Sequence, residues 1–203
     1  MGEEKRKANI GLRRLVVWPV TAETTVGLTY GDAHEFAKAL MTLTDTPSAS
    51  SGALEADDQT VDELAAIDGG DLKVGVTGIL ASERQLLYGT TAKNGTDVTN
   101  KDDNSPYVCV ACMFNRGGGQ FELRKYPRAK FLPGEEKSET KRKGQVQYYT
   151  TDLSGSYSPT LHNGDIRYIR VADAEADKTV IDNWFTDAAY NGTEATAAAQ
   201  TTE

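Results

Sequence analysis

Two strand-like runs, Tyr107–Phe114 (YVCVACMF) and Gln120–Tyr126 (QFELRKY), flank Asn115-Arg-Gly-Gly-Gly119, and this arrangement constrains the fold more than any other stretch of the chain. β-branched and aromatic residues on both sides of a glycine-rich turn specify an antiparallel hairpin. The chain then makes a charged excursion, Pro133–Gly144, and returns in a further strand-like run, Gln145–Thr151. A hairpin that extends an arm and rejoins a sheet is a construction plan. It is not the layout of a catalytic pocket.

The rest of the chain supports a mainly β (α+β) reading. Asn9–Pro19 has the composition of a first strand, closed by a proline. Ala33–Thr44 is ambiguous: Asp32 and Glu35 make a capping box for a helix, yet its pattern also suits a strand. Asp45–Gly52 reads as a turn-rich polar loop, and Asp71–Gly78 as an alternating strand. Leu80–Gly89 is the clearest helix, with Leu80, Leu87 and Tyr88 on one face and Gly89 as its stop. Thr90–Ser105 is a long polar insertion and Ile166–Val171 a strand. Asp173–Ala188 suggests a second helix with Val180, Ile181, Trp184 and Phe185 buried. The organisation expected is a flexible arm over 1–8, one domain over 9–190 and a low-complexity, disordered tail over 191–203.

At 203 residues the chain is long enough for one sizeable core. No run is apolar enough to span a bilayer. Met1–Asn9 lacks the apolar core of a signal peptide, so the chain is expected to stay in the compartment where it is made. The net charge of −8 argues against a protein that grips nucleic acid through phosphates. The charge is also segregated. Every charged residue from Asp45 to Asp71 is acidic, whereas Arg116–Lys143 is predominantly basic. Separate patches of this kind let one copy complement the next, although simple solvation of loops gives the same pattern.

The candidates for chemistry dissolve one by one. Cys109-Val-Ala-Cys112 has the letters of a CxxC motif but lies in a strand-like run, where residues three apart point to opposite faces. Zinc would need two further ligands, and the two histidines, His34 and His162, are distant. Packed, inert thiols are the simpler reading. Asp57, Asp58, Asp62 and Glu63 lack the spacing of a calcium loop. Gly117–Gly119 is followed by no Lys-Ser/Thr and opens no helix, so it is a turn and not a phosphate cradle. Asn94-Gly-Thr96 and Asn191-Gly-Thr193 are glycosylation sequons in letters only. The expectation is therefore no catalytic residue, no cofactor and no metal.

The order of elements resembles the major tail protein family of long-tailed, non-contractile bacteriophages, whose members form the tail tube. The likeness runs from Ile10 to Ala188. It rests on the strand beginning Ile10-Gly-Leu, the acidic Glu55-Ala-Asp-Asp58, the Gly69-Gly70 turn, the strand Leu72–Thr77 and the helix ending Gln85-Leu-Leu-Tyr-Gly89. The strands Tyr107–Phe114 and Glu122–Phe131 and the stretch Gly144–Thr151 complete it. The resemblance implies a β-sandwich of two sheets with a flanking α-helix, and a strand over Ala33–Thr44. It implies six subunits closing into a ring, with rings stacking into a tube in the virion. The partners it implies are further copies of the chain, a tape-measure protein, a tail terminator and distal tail or baseplate proteins. DNA would pass through the lumen without specific binding, and no membrane is involved. The arm Gly134–Gly144 then becomes a candidate inter-subunit contact: its basic Lys141, Arg142 and Lys143 would meet the acidic Asp57, Asp58, Asp62 and Glu63 of a neighbour, and Glu135 and Glu136 are further contact candidates on the same arm. The competing readings are a tube protein of a contractile injection or type VI-like secretion system, a carbohydrate-binding sandwich using Tyr148-Tyr149 or Tyr157, and a thiol oxidoreductase using Cys109 and Cys112.

Overall fold

The computed structural model describes residues 7–36, 39–56, 59–134 and 150–192. The chain is mainly β. Its strands are β1 (Asn9–Glu23), β2 (Leu28–Tyr30), β3 (His34–Glu35), β4 (Leu40–Ala56), β5 (Gln59–Val76), β6 (Thr91–Lys93), β7 (Thr96–Val98), β8 (Tyr107–Arg116), β9 (Gln120–Leu132), β10 (Thr151–Tyr157) and β11 (Tyr168–Asp173), with helices α1 (Ala81–Tyr88) and α2 (Lys178–Thr186). Nine strands form one antiparallel sheet in the order β2-β1-β8-β9-β10-β5-β4, with β11 added beside β9 and β3 beside β1; β6 and β7 form a separate hairpin.

The central hairpin is the one the sequence specifies. β8 and β9 pair from Arg116↔Gln120 back to Tyr107↔Lys130, and Gly118 and Gly119 take φ of 74° in the turn between them. β9 is also where the sheet divides. Its first half pairs with β11 and its second half with β10. Between the two halves lies Pro127, which has no N–H to give to a ladder, and the β8–β9 register slips nearby, between Val108 and Val110.

Because of this division, one continuous sheet curls over and supplies two layers, where separate sheets were expected. Leu15 and Val17 of β1 share a core with Leu72, Val74 and Val76 of β5, although three strands separate β1 from β5 in the sheet. Val110, Cys112, Tyr126, Phe131, Leu153 and Leu87 of α1 fill the space between. The opposite face of β1, β8, β9 and β11 is covered by α2, whose Trp184 and Phe185 pack on Val16, Trp18, Cys109 and Leu123. Strict alternation along β8 therefore feeds two cores. Burying Trp184 and Phe185 stabilises this second layer by roughly 1.5–3 kcal/mol each.

Several expectations need correction. Pro19 does not close the first strand: β1 continues to Glu23, Pro19 pairs with Val108, and its carbonyl accepts the Gly31 N–H at 2.8 Å. Ala33–Thr44 holds the short β3 and then the start of β4, so its strand reading stands over those residues. Asp45–Gly52 is strand, not loop. Gly69-Gly70 is not a turn but the buried middle of the β4–β5 pair. A Cβ on Gly69 would meet the Tyr157 carbonyl oxygen, and one on Gly70 would meet the Tyr157 hydroxyl, so the two glycines let the end of β10 pack closely against β5 here. Leu80 lies exposed, and the buried face of α1 is Glu83, Leu87 and Tyr88. The Thr90–Ser105 insertion contains the β6–β7 hairpin, whose Asn94-Gly95 turn has φ of 52° and 77°. Ile166–Val171 is displaced to Tyr168–Asp173, and the second helix is confined to Lys178–Thr186. Of Gln145–Thr151 only the end is described, and β10 runs on to Tyr157.

Candidate functional site

The feature of this fold without an internal explanation is the outer part of the β4–β5 hairpin. The two strands pair from Leu40↔Val76 to Ala56↔Gln59, but β10 pairs with β5 only over Gly70–Val76. Beyond Gly70 the hairpin continues as a two-stranded ribbon for about nine residues on each side, a reach of about 30 Å. Ser48, Ala49, Ser50 and Ser51 are all exposed, as are Ala66, Ile67 and Asp68. Since neighbouring residues in a strand point to opposite faces, both faces of the ribbon are bare over these residues. Among the described residues no third strand pairs with it.

The root of the ribbon is fixed by a buried carboxylate. Asp45 of β4 has a side chain only 3% exposed, and its partners among the described residues all come from far along the chain. Tyr157 donates its hydroxyl to Oδ1 at 2.6 Å, and Tyr126 donates to Oδ2 at 2.9 Å. Arg167 Nη1 reaches Oδ2 at 2.5 Å and Arg124 Nη1 at 3.4 Å, while Arg124 also pairs with Glu122 at 2.6 Å. One carboxylate so ties β4 to β9, β10 and the segment before β11. Two arginines and two phenols satisfy its lone pairs, which burial of a charge requires.

A second buried charge holds the chain after α2. Lys125 of β9 donates to the carbonyl oxygens of Asp187 at 2.8 Å and Tyr190 at 2.6 Å, and lies 5.5 and 5.2 Å from the ring centres of Trp18 and Trp184. Burial pulls its pKa down to about 8. Neither Asp45 nor Lys125 stood out in the sequence, because no local motif marks them.

The contact candidates fare differently. Asp57, Asp58, Glu135, Glu136, Lys141, Arg142 and Lys143, like the rest of the arm from 135 to 144, lie outside the described residues. The backbones of Asp62 and Glu63 lie in the outer ribbon, paired with Leu54 and Ala53. Of the proposed aromatic platform, Tyr148-Tyr149 is outside the described residues, and Tyr157 is 2% exposed, so its face is not available to a sugar. His34 Nε2 lies 3.1 Å from Glu83 Oε1 at the start of α1.

The two cysteines point to opposite faces of β8, Cys112 into the first core and Cys109 into the second. Both are free and fully buried, and burial pushes each thiol up to about 12. At neutral pH they are neither nucleophiles nor ligands. Dithionitrobenzoate is accordingly expected to label neither until the chain unfolds; stoichiometric labelling of the native protein would overturn this. The same shifts fix an alkaline response. Unfolded thiols ionise near 9 while the folded ones stay protonated, so the folded state loses stability as pH rises from about 9 toward 12. Lys125 acts with the opposite sign: its folded pKa is lowered, so stability rises between about 8 and 10.5. Urea midpoints should therefore fall above pH 9 less steeply in Cys109→Ala/Cys112→Ala than in the native sequence. Parallel profiles would refute the assignment.

No protein-family model matches this chain, and no curated protein matches its sequence. Function rests on geometry. Among the described residues no group of three or more His, Cys, Asp or Glu is placed to hold a metal ion, and no helix is long and apolar enough to cross a membrane.

Proposed function

We propose that this chain is a self-assembling structural subunit of the tail-tube type. In this reading copies join head to tail into six-membered rings, and rings stack around a tape-measure protein into a conduit for DNA. A tail terminator and distal tail proteins close the ends. The observation that carries the proposal is the outer ribbon of β4 and β5. A two-stranded hairpin alone in water is marginally stable, and a bare strand edge invites pairing. A ribbon about 30 Å long, exposed on both faces over Ser48–Ser51 and Ala66–Asp68, finds its missing packing on another copy. Contacts made by different surfaces of each copy generate rings when the rotation closes.

Charge agrees with this use. From Ser48 to Gly69 the sequence carries Glu55, Asp57, Asp58, Asp62, Glu63 and Asp68 and no Lys or Arg. A wall of that sign does not hold a polyanion that must move past it. The sixfold closure and the stacking come from the resemblance in element order, and the ribbon supplies the physical means. Negative-stain microscopy of the purified chain, with light scattering across a concentration series, is expected to show rings or hollow tubes. A monomer that persists at high concentration refutes the proposal.

A further inference from the structure

A cleft of about 340 Å³ opens between the end of α1, the β6–β7 hairpin, the loop over 99–105 and the end of β9. The outer ribbon and the self-assembly reading do not involve it. Two of its lining side chains carry buried polar atoms with no hydrogen-bond partner among the described residues: Thr90 Oγ1 and Asp97 Oδ1. Leaving such a group unpaired costs about 1–3 kcal/mol, and more when it is charged. The walls that hold these atoms are built, not loose. Asp97 sits in β7, paired with Ala92 across the tight Asn94-Gly95 turn. In the adjoining loop Asn100 N–H donates to Asp103 Oδ2 at 2.7 Å, and Lys130 Nζ donates to Asn104 Oδ1 at 2.8 Å. Gly89, at φ of 73°, lets α1 end directly against the Asn104 carbonyl, where a Cβ would come to 2.5 Å.

The lining identifies the ligand class. Asp97 Oδ1 accepts and cannot donate when ionised, so it calls for a donor and disfavours an anion. The lining includes two cations, Arg84 and Lys130, and two anions, Asp97 and Asp103, so its formal charge cancels. A cationic ligand would leave one charge uncompensated in a confined space. A hydroxyl is the group that donates to Asp97 and accepts from Lys130 while adding no charge. Hydroxyls and amides of Thr90, Thr99, Asn100 and Ser105 complete the wall, and Tyr88 supplies a ring. The volume lies at the small end of ligand sites, which run from about 300 to 1,000 Å³. We propose that this cleft binds a neutral polyol, a saccharide of one or two rings, with Asp97 and Thr90 as its hydrogen-bonding anchors.

The test is an amide NMR titration of the full chain. The probes are glucose, galactose, mannose, N-acetylglucosamine, maltose and cellobiose, with butylammonium and inorganic phosphate as charged competitors in class. At least one sugar is expected to give saturable shifts at Thr90, Asp97 and Ser105. Asp97→Ala should weaken that sugar about tenfold, and Thr90→Val less, in line with lost hydrogen bonds to a charged and a neutral group. Asp182→Ala, an exposed carboxylate on α2, should leave binding unchanged. If Asp97→Ala fails to fold by circular dichroism, the near-isosteric Thr90→Val carries the comparison alone. The proposal is overturned if no sugar shifts these amides, if the shifts survive both substitutions, or if butylammonium or phosphate binds there more tightly than every sugar.

Discussion

Replacing Ala49–Asp68 by Asn-Gly is expected to abolish assembly and leave a folded monomer. The cut falls between Ser48 and Gly69, which face each other across the β4–β5 ladder, so a two-residue turn closes the hairpin. What remains keeps the Gly70–Val76 segment that β10 pairs with and the Leu72, Val74 and Val76 side chains of the first core. What is lost contributes no side chain to either core among those described. The melting temperature should therefore move by only a few degrees, the scale of about 1 kcal/mol in a chain of this size. Sedimentation and microscopy should change completely, from rings or tubes to a single slow species. Two other results are informative. Tubes that survive the cut would show that the ribbon is not the contact, even if self-assembly is correct. A variant that fails to fold would show that the ribbon supports its own subunit, and the argument from its bare faces would collapse.

The ribbon also shows where the sequence is silent. β1, β8 and β9 announce themselves because β-branched and aromatic residues are buried on at least one face, and burial imposes the pattern. Asp45–Gly52 belongs to a strand just as regular, yet it reads as a loop because neither face of its outer part meets a core. Small and polar residues satisfy it there, and even Pro47 is tolerated on an edge strand. The cysteines were legible for the converse reason: their spacing within a strand forces opposite faces, and both faces of β8 are packed. The Asn94-Gly95 hairpin was written plainly in its dipeptide, the strongest short signal for a tight turn. Lys125 and Asp45 could not be found this way. Their partners lie 62 to 65 and 79 to 122 residues away, and only the folded sheet brings them together.

Asp45→Ala is expected to be the most destabilising single substitution at the root of the ribbon. It removes the common acceptor of Tyr157, Tyr126, Arg167 and Arg124 and leaves two guanidinium groups without it. Breaking a buried charge pair by deleting one partner costs about 3–5 kcal/mol, because the remaining charge is stranded. Arg124 keeps Glu122 at 2.6 Å, so most of the cost falls on Arg167 and the two phenols. At about 2–4 °C per kcal/mol for a chain of this length, the melting temperature should fall by roughly 10 °C. Asp45→Asn keeps the shape and one acceptor oxygen, and its cost should lie between the two. A double-mutant cycle separates the hub from simple loss of packing: if Asp45 and Arg167 act as a pair, Asp45→Ala should cost clearly less in an Arg167→Met background. Additive effects would reduce the hub to ordinary packing. Coupled effects would mean that the strand leading into the ribbon is held by charge at one point, close to the β5 glycine pair where the β10 pairing ends, so that a single side chain sets the direction in which the ribbon leaves the subunit.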